Sequence, residues 1–490
     1  MIQFDTATCF KNNRSMVKIF RKLSVLTTKN DLSTEAGRGK EREKRIILSA
    51  LWAVFAKVIN TAIPLITIKI TITYLGNELY GLWATITSFF ALFAFSDLGL
   101  GNGLQTELSR ATGKDDVKEC QILISSAYIV LTFVSLLLII CFLIAFGFID
   151  WGKLMGAESQ EAIALTGSFV LALFLSKFLG VPTSLVQRIH NSLQEGYIAS
   201  IWSTISSVCS LITIAIVYFF DLGKASMMWA SSFIIIAVYI VNTIVFFNTT
   251  GRKYRFSFKD IDLSIAKRLL STGFLFLTLS ILTSISLSLD SFIVTKTVGI
   301  NETAAYSIAY RIALFIGIIS TMLSTPLWAA NGEALERGDY QWVQSRTKKM
   351  TRLSFWGACG ASLVLIIAAN PVLSWMGKDL SVSIPVLIGI CFTQILIATA
   401  NPAFMVLNAS RRIIVQITMF IIYSIVSLAI KYYCGKHWGT LAISMGGAIT
   451  YFLIIIPLVY WAYRKAITQE KNNLKDYSDE FYKIYKRTRS

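Results

Sequence analysis

Long apolar segments alternate with short polar ones along most of the chain. Each apolar segment has about 20 residues or more, enough to cross a hydrocarbon core of roughly 30 Å as a helix. Helices are predicted because lipid offers the backbone no hydrogen-bond partners and because the period-2 alternation of a membrane barrel is missing. The predicted spans lie near 47–74, 80–97, 121–149, 160–186, 197–220, 226–248, 269–295, 303–331, 350–373, 382–407, 412–434 and 439–463. The predicted fold class is therefore an all-α integral membrane protein with twelve transmembrane helices.

The distribution of Lys and Arg predicts the orientation. Alternate gaps between the spans, counted from the N-terminal segment, hold 36 Lys and Arg residues, whereas the other gaps hold six. Because positive residues stay on the cytoplasmic side, this asymmetry predicts a multi-pass protein with both termini in the cytoplasm. The net charge of +18 is then explained by loops that face anionic headgroups, and no nucleic-acid partner is expected.

Composition narrows the function classes. Hydrophobic residues make up 54% of the chain, which leaves no room for a large soluble domain. Seven cysteines without a CxxC pair and only two histidines argue against a disulfide framework, a metal site and histidine-based catalysis. No GxxxxGK[ST] loop occurs, so direct use of ATP is not indicated.

A weak internal repeat relates the two parts of the chain. Segments 45–76 and 268–299 are equally long, and each ends in a glycine with an Asn-Glu pair close behind it, directly after Gly76 and one residue after Gly299. The next span ends in Asn-Gly in both cases, at Asn102 and Asn331. The repeat predicts two six-helix lobes related by a pseudo-two-fold axis along the membrane normal.

This repeat sets the predicted domain boundaries. Residues 1–45 carry eleven basic and five acidic groups and lack a cleavable apolar core, so we interpret them as a cytoplasmic tail and not as a signal peptide. The remaining predicted units are an N-lobe (46–248), a cytoplasmic connector (249–268), a C-lobe (269–463) and a basic C-terminal tail (464–490).

Ionisable residues within the spans are the main functional signal, because each costs roughly 2.5–3.5 kcal/mol if it faces lipid. Lys57 lies ten residues into the first span, about 15 Å deep, and shares one face with Asn60 and Pro64. Lys177 in the fourth span is also remote from either membrane surface. We expect Lys57, Asn60 and Lys177 to face a cavity, with Pro64 as a hinge.

The other candidates include the acids. Asp97 lies near the inner end of the second span, where Gly99 and Gly101 are candidate hinges. Asp290 and Arg311 come from adjacent spans at similar depth, so they either neutralise one another as an ion pair or leave Arg311 to contact substrate.

The balance of sign indicates the class of substrate. Four cations within spans, Lys57, Lys69, Lys177 and Arg311, outnumber the two acids. Surplus positive charge suits an anionic ligand such as a phosphate or pyrophosphate.

Three motifs resemble those of a known family: YLGNELYGLW at 74–83, DLGLGNG at 97–103 and AAYSIAYRI at 304–312. They look like the polysaccharide-exporter branch of the MOP superfamily, the Wzx-like O-antigen and oligosaccharide flippases, which are related to MATE exporters. The resemblance implies alternating access for an undecaprenyl-pyrophosphate-linked oligosaccharide in the bacterial inner membrane. It also implies cationic cavity residues that map to Lys57 and Arg311.

The same resemblance implies the partners: the lipid-linked anionic glycan, the membrane lipids, and a polysaccharide polymerase with its glycosyltransferases. No covalent catalysis and no cofactor are expected, and coupling to an ion gradient is left open. A MATE-type multidrug or cation antiporter is the main alternative, although the first span lacks the carboxylate that many MATE exporters use. A lipid II flippase, which usually has more spans, and a membrane glycosyltransferase, which needs a larger outer loop, are weaker alternatives.

Overall fold

The computed structural model describes residues 34–91, 97–257, 262–376 and 382–487, all of which fold as helices and short connections. The N-terminal half contains α1 (Glu35–Ala91), α2 (Leu100–Gly113), α3 (Val117–Phe146), α4 (Trp151–Met155), α5 (Gln160–Thr183), α6 (Leu185–Ser192), α7 (Gly196–Phe219), α8 (Lys224–Asn248) and a 3₁₀ turn (Arg252–Tyr254). The C-terminal half contains α9 (Leu263–Ser288), α10 (Asp290–Thr297), α11 (Ile300–Ser324), α12 (Pro326–Glu336), α13 (Tyr340–Met376), α14 (Ile384–Ala409), α15 (Ile413–Thr450), a π turn (Tyr451–Ile455) and α16 (Ile456–Arg487).

Ten helices within the described residues are long and apolar enough to cross a membrane. Their count differs from the twelve predicted spans for two reasons. The predicted span 80–97 runs into residues outside the described part, and the spans 412–434 and 439–463 fall within one continuous candidate, Ile413–Asn472. A break in the backbone at Gly439 (φ 65°, ψ −154°) divides that candidate.

Local sequence explains where several helices begin. Asp116 accepts a hydrogen bond from the Glu119 amide at 2.8 Å, and Ser159 accepts one from the Ala162 amide at 3.1 Å. Asp262 caps α9 in the same way through the Ser264 amide at 2.7 Å. These side chains satisfy amide groups that the first helical turn leaves without partners.

The two repeated segments end in the same backbone feature. Gly76 breaks α1 with φ 80°, and Gly299 precedes α11 with φ 130°. Positive φ is readily adopted only by glycine, so the repeat preserves the residue that lets the chain turn back towards the membrane.

The helices extend beyond the predicted domain boundaries. Residues 1–33 of the predicted N-terminal tail lie outside the described residues, whereas α1 begins at Glu35, within that tail. Likewise α16 continues through the described part of the predicted C-terminal tail. Helical segments therefore project past the apolar spans on the side that carries the Lys- and Arg-rich gaps, which we call the basic side; the opposite side is the outer side.

Candidate functional site

A cavity of about 910 Å³ lies within the N-terminal half, between α1, α5, α7 and α8. Its wall includes Pro64 and Trp83 of α1. Hydroxyl groups line much of the remainder, from Thr67, Ser176, Ser184, Ser210, Ser231 and Ser232. Such a surface offers hydrogen bonds to a polar molecule inside a protein that is otherwise apolar.

Three charged side chains line this cavity: Lys177, Arg188 and Asp97. Within the described part of the chain, the Lys177 ammonium and the Arg188 guanidinium form no ion pair within 4 Å. Asp97 accepts a hydrogen bond from the Gly99 amide at 3.0 Å and interacts electrostatically with Arg188. The cavity thus carries one surplus positive charge.

A break between two helices brings Arg188 into the cavity. Helix α5 ends at Thr183 and α6 starts at Leu185, which redirects the chain and leaves Arg188 partly exposed to the cavity. A Cβ atom added at Gly101 would lie 3.0 Å from Arg188 Nε and 3.1 Å from Asp97 Oδ2. The missing side chain at Gly101 therefore gives these two charged groups the room they occupy.

The candidate hinge around Gly99 is closely packed. Leu98 and Gly99 both have positive φ, at 50° and 71°, where α2 begins. A Cβ atom at Gly99 would lie 2.2 Å from the carbonyl oxygen of Gly273 in α9. Gly99 thus permits both an unusual backbone conformation and a close contact with the C-terminal half.

The structure places Lys57 and Arg311 outside this cavity but on facing helices. Ala53 of α1 and Met322 of α11 line a small pocket of about 150 Å³ between the halves. Lys57 follows Ala53 by one helical turn, and Arg311 precedes Met322 by three, so each lies on the same helix face as its pocket residue. At about 1.5 Å per residue, Lys57 lies roughly 6 Å and Arg311 roughly 16 Å further towards the outer side.

Asn60 and Pro64 of α1 have different surroundings. The Asn60 amide nitrogen donates a hydrogen bond to Ser203 Oγ at 2.9 Å, which ties α1 to α7. Pro64, one turn further on, lines the cavity.

Asp290 does not pair with Arg311, and the ion-pair alternative for those two residues is wrong. The Asp290 carboxylate is buried and forms an ion pair with Lys431, with 2.5 Å between Asp290 Oδ1 and Lys431 Nζ. It also accepts a hydrogen bond from the Tyr306 hydroxyl at 3.1 Å. Helix α15 continues past residue 434, and Lys431 on this helix is buried inside the protein. Asp290 is thus already neutralised within the C-terminal half.

A network of ion pairs joins the two halves at the basic side. Arg42 is buried in α1 and contacts Glu333 at 3.1 Å and Asp339 at 2.7 Å. Gln194 also donates a hydrogen bond to Glu333. Nearby, Arg411 forms two hydrogen bonds of 2.7 Å with Glu107.

Arg110 forms the other centre of this network. Its guanidinium bonds Glu336, the carboxylate of Glu470 and the Ala409 carbonyl oxygen. Burial alone would lower the pKa of Arg110, but the bonds to Glu470 and Glu336 outweigh burial and raise the pKa. Arg110 therefore stays charged.

The two segments that begin with the repeated Asn-Gly pairs lie at this same junction between the halves. Gly332 of α12 packs against Ser109 of α2, where an added Cβ would lie 2.2 Å from the Ser109 Oγ. The Trp328 indole donates to the Thr106 hydroxyl at 3.2 Å. The two segments that the repeat relates, one from each half, thus contact one another at the basic side.

Comparison with known proteins identifies the class. Among solved structures, a MOP superfamily transporter from Pyrococcus furiosus aligns with a TM-score of 0.72 at 17% identity, covering 88% of this chain and 97% of that one. A multidrug resistance MATE transporter in an outward-facing conformation aligns with a TM-score of 0.73 at 15% identity, with the same coverage. The protein has the fold of the MOP superfamily of membrane transporters.

Sequence relatives define the branch. The model of the polysaccharide biosynthesis protein family matches residues 47–328, more than half of the chain, and the protein belongs to that family. A Salmonella typhi protein named as an O-antigen transporter is 22% identical, over 86% of this chain and 96% of its own length. A Yersinia pseudotuberculosis protein named as an O-antigen export protein is 24% identical, over 71% of this chain and 79% of its own length. The resemblance to Wzx-like MOP exporters is confirmed.

Proposed function

We propose that this protein is a flippase that moves an undecaprenyl-pyrophosphate-linked oligosaccharide, an O-antigen or other polysaccharide repeat unit, across the bacterial inner membrane. The family and the two O-antigen relatives support a polysaccharide cargo. The observation that carries the proposal is the cavity, in which Lys177 and Arg188 stand among hydroxyl groups.

The chemistry of the cargo matches this lining. A pyrophosphate carries several negative charges, and a guanidinium can donate two parallel hydrogen bonds to its oxygens. The serine and threonine hydroxyls suit sugars, which are themselves dense in hydroxyl groups. In this arrangement the pyrophosphate would contact Arg188 and Lys177, and the polyprenyl chain would stay in lipid.

We further infer that transport proceeds by alternating access between two six-helix lobes. The basic side is the cytoplasmic side, with both termini there, as the distribution of Lys and Arg indicates. The ion pairs of Arg42 and Arg110 join the halves on that side, which supports the assignment of the outward-facing state in this proposal. Separation of these pairs would open the cavity to the cytoplasm for loading.

A MATE-type cation antiporter is the weaker alternative. A cationic drug would favour carboxylates in its cavity, whereas the described lining has two cations and the single acid Asp97. The structural likeness to MATE transporters supports the fold but not their substrates. The proposal is a transporter without a covalent step, working beside glycosyltransferases and a polymerase.

Complementation of a deletion strain tests the proposal. The gene is deleted, and surface polysaccharide and undecaprenyl-linked intermediates are measured after return of wild type, Arg188→Ala, Arg188→Lys or the control Lys153→Ala. Lys153 is an exposed cation in an outer connection and pairs only locally with Asp150. Because Arg188→Ala removes the central cavity cation, we expect surface glycan at least about tenfold lower at equal membrane abundance, with intermediates trapped on the cytoplasmic leaflet.

Two other outcomes would reject the proposal. Unchanged glycan and lipid pools in the deletion strain, together with lost resistance to cationic dyes, would favour the antiporter. Normal glycan with Arg188→Ala and Lys177→Ala combined would remove the cavity from the transport path.

A further inference from the structure

A second concave surface lies on the outside of the N-terminal half, between α3 and α8. This groove of about 500 Å³ is lined by Ile129, Phe133 and Leu136 of α3, Phe247 of α8 and Phe256 of the connector, with hydroxyls of Tyr128, Thr132 and Thr243 among them. The Phe133 side chain is 66% exposed and Leu136 is 49% exposed. Since α3 is a candidate membrane span with mean hydropathy 3.1, this exposed apolar surface faces lipid chains.

The connector is held over the basic-side end of the groove. The Ser257 amide donates to Ser125 Oγ at 3.2 Å, which fixes the connector to α3 one turn before the groove begins. Tyr254 is buried in the hydrophobic core, and Phe256 reaches the groove. The sequence RKYRF at 252–256 therefore adopts one defined position.

The same five residues present a compact cationic surface. Arg252, Lys253 and Arg255 are exposed, alternating with the two aromatic residues that point inward. Within the described residues none of the three forms an ion pair with a carboxylate, although the Lys253 ammonium lies 4.8 Å from the centre of the Tyr254 ring. Glu119, the acid at the start of α3, is engaged by Lys114 and Arg268.

We propose that this groove and these cations together bind one anionic phospholipid of the leaflet on the basic side. One acyl chain would lie in the groove against Phe133 and Phe247, and the phosphate would contact Arg252, Lys253 and Arg255. Basic pockets between transmembrane helices on the cytoplasmic side are suited to anionic headgroups, and acyl chains gain free energy by covering apolar surface.

This site is distinct from the proposed cargo path. The groove lies between α3 and the basic-side end of α8, at Thr243 and Phe247, whereas the cavity contacts α8 further towards the outer side, from Ser231 to Tyr239. Thr243 lines the groove one turn after Tyr239 and donates to its carbonyl oxygen at 2.8 Å. The bound phospholipid would therefore contact the helix that also forms the cavity wall, without entering the cavity.

Lipid retention by the purified full-length protein tests the proposal. The protein is mixed with phosphatidylglycerol or phosphatidylcholine in neutral detergent, and bound lipid is counted by native mass spectrometry. We expect one phosphatidylglycerol to be retained in preference to phosphatidylcholine. The triple variant Arg252→Gln, Lys253→Gln, Arg255→Gln should weaken that binding about 100-fold, because each cation near an anionic headgroup contributes roughly fivefold.

Two matched controls distinguish a specific lipid site from general attraction of anionic lipid to basic residues. Lys348→Gln, Arg352→Gln, Arg464→Gln removes the same charge from exposed positions elsewhere on the basic side and should leave the preference intact. Thr132→Trp fills the groove and should abolish retention with the cations in place. Leu137→Trp, on the exposed face of the same helix outside the groove, should not.

The proposal is overturned if wild type retains both lipids equally, or if the two triple variants lose binding to the same extent. Displacement of phosphatidylglycerol by much lower concentrations of undecaprenyl phosphate would also overturn it, because the groove would then belong to the cargo lipid. None of these measurements depends on transport, so their outcome is independent of the proposed flippase function.

Discussion

Arg110 in α2 and Glu470 in α16 form a two-armed ion pair, with nitrogen–oxygen distances of 2.9 and 3.3 Å. Glu470 lies beyond the last apolar span, and the Tyr340 hydroxyl donates to its backbone carbonyl at 2.9 Å. The C-terminal helix therefore holds the N-terminal half at the basic side. Both partners are mostly buried, so the pair is less screened by solvent than an exposed one.

Glu470→Gln should favour opening of the basic side. Charged hydrogen bonds contribute about 1.5–3 kcal/mol, so a partial loss should raise the open population roughly tenfold. Spin labels at Lys118 and Lys348, which are exposed on opposite halves, would report the change as a longer distance. Glu161→Gln, in an outer-side pair with Lys224, is the control. An unchanged distance distribution would show that Glu470 does not hold the halves together.

Lys431→Ala should destabilise the protein by about 3–5 kcal/mol, because it leaves the buried Asp290 carboxylate without its partner. The double variant Asp290→Asn, Lys431→Met should recover most of that loss, since no isolated charge remains. Thermal unfolding in detergent measures both effects. If the double variant is stable but does not transport, the pair has a role beyond structure.

Gly99→Ala should cost about 1–3 kcal/mol, because the position has φ 71° and an added methyl group would collide with the Gly273 carbonyl oxygen. Gly81→Ala is the matched control: it lies within α1, has no positive φ and faces open space. The melting temperature should fall for the first variant only. Equal melting temperatures would contradict the close contact between α2 and α9.

Lys57→Ala and Arg311→Ala should each abolish surface glycan while the protein remains inserted in the membrane. Both cations lie on helix faces directed at the space between the halves, where an anionic cargo would pass. Lys69→Ala, nearer the outer surface, should retain function. Normal surface glycan in both test variants would exclude these residues from the path.

The general architecture was predictable because apolar length and charge asymmetry are strong, local signals. All ten candidate spans of the described residues overlap spans predicted in this way. Arg188 was not predicted as a cavity residue, because the sequence places it in a polar gap between two spans, where cytoplasmic Lys and Arg residues are common. The Pro182 to Ser184 region that redirects the chain was the available signal.

Side-chain partners were harder to predict than spans. Asp290 pairs with Lys431, 141 residues away, and not with Arg311 from the neighbouring span. Sequence gives the depth of a residue in the membrane but not the direction its helix face points, and a rotation of a single helix decides which charge it meets. The network at Arg42 and Arg110 likewise depends on contacts between halves that no local pattern specifies.

Helix α1 connects the ion pairs of Arg42 with Lys57 in the space between the halves. Arg42, bonded to Glu333 and Asp339, and Lys57 lie 15 residues apart on one uninterrupted stretch of helix, about 22 Å. Because that stretch is one rigid helix, a tilt moves both of its ends at once. Under the proposed mechanism, a negative charge that draws Lys57 inward would therefore pull on the ion pairs of Arg42, and separation of those ion pairs would shift Lys57, so that the cargo and the closed side would exert force on one another.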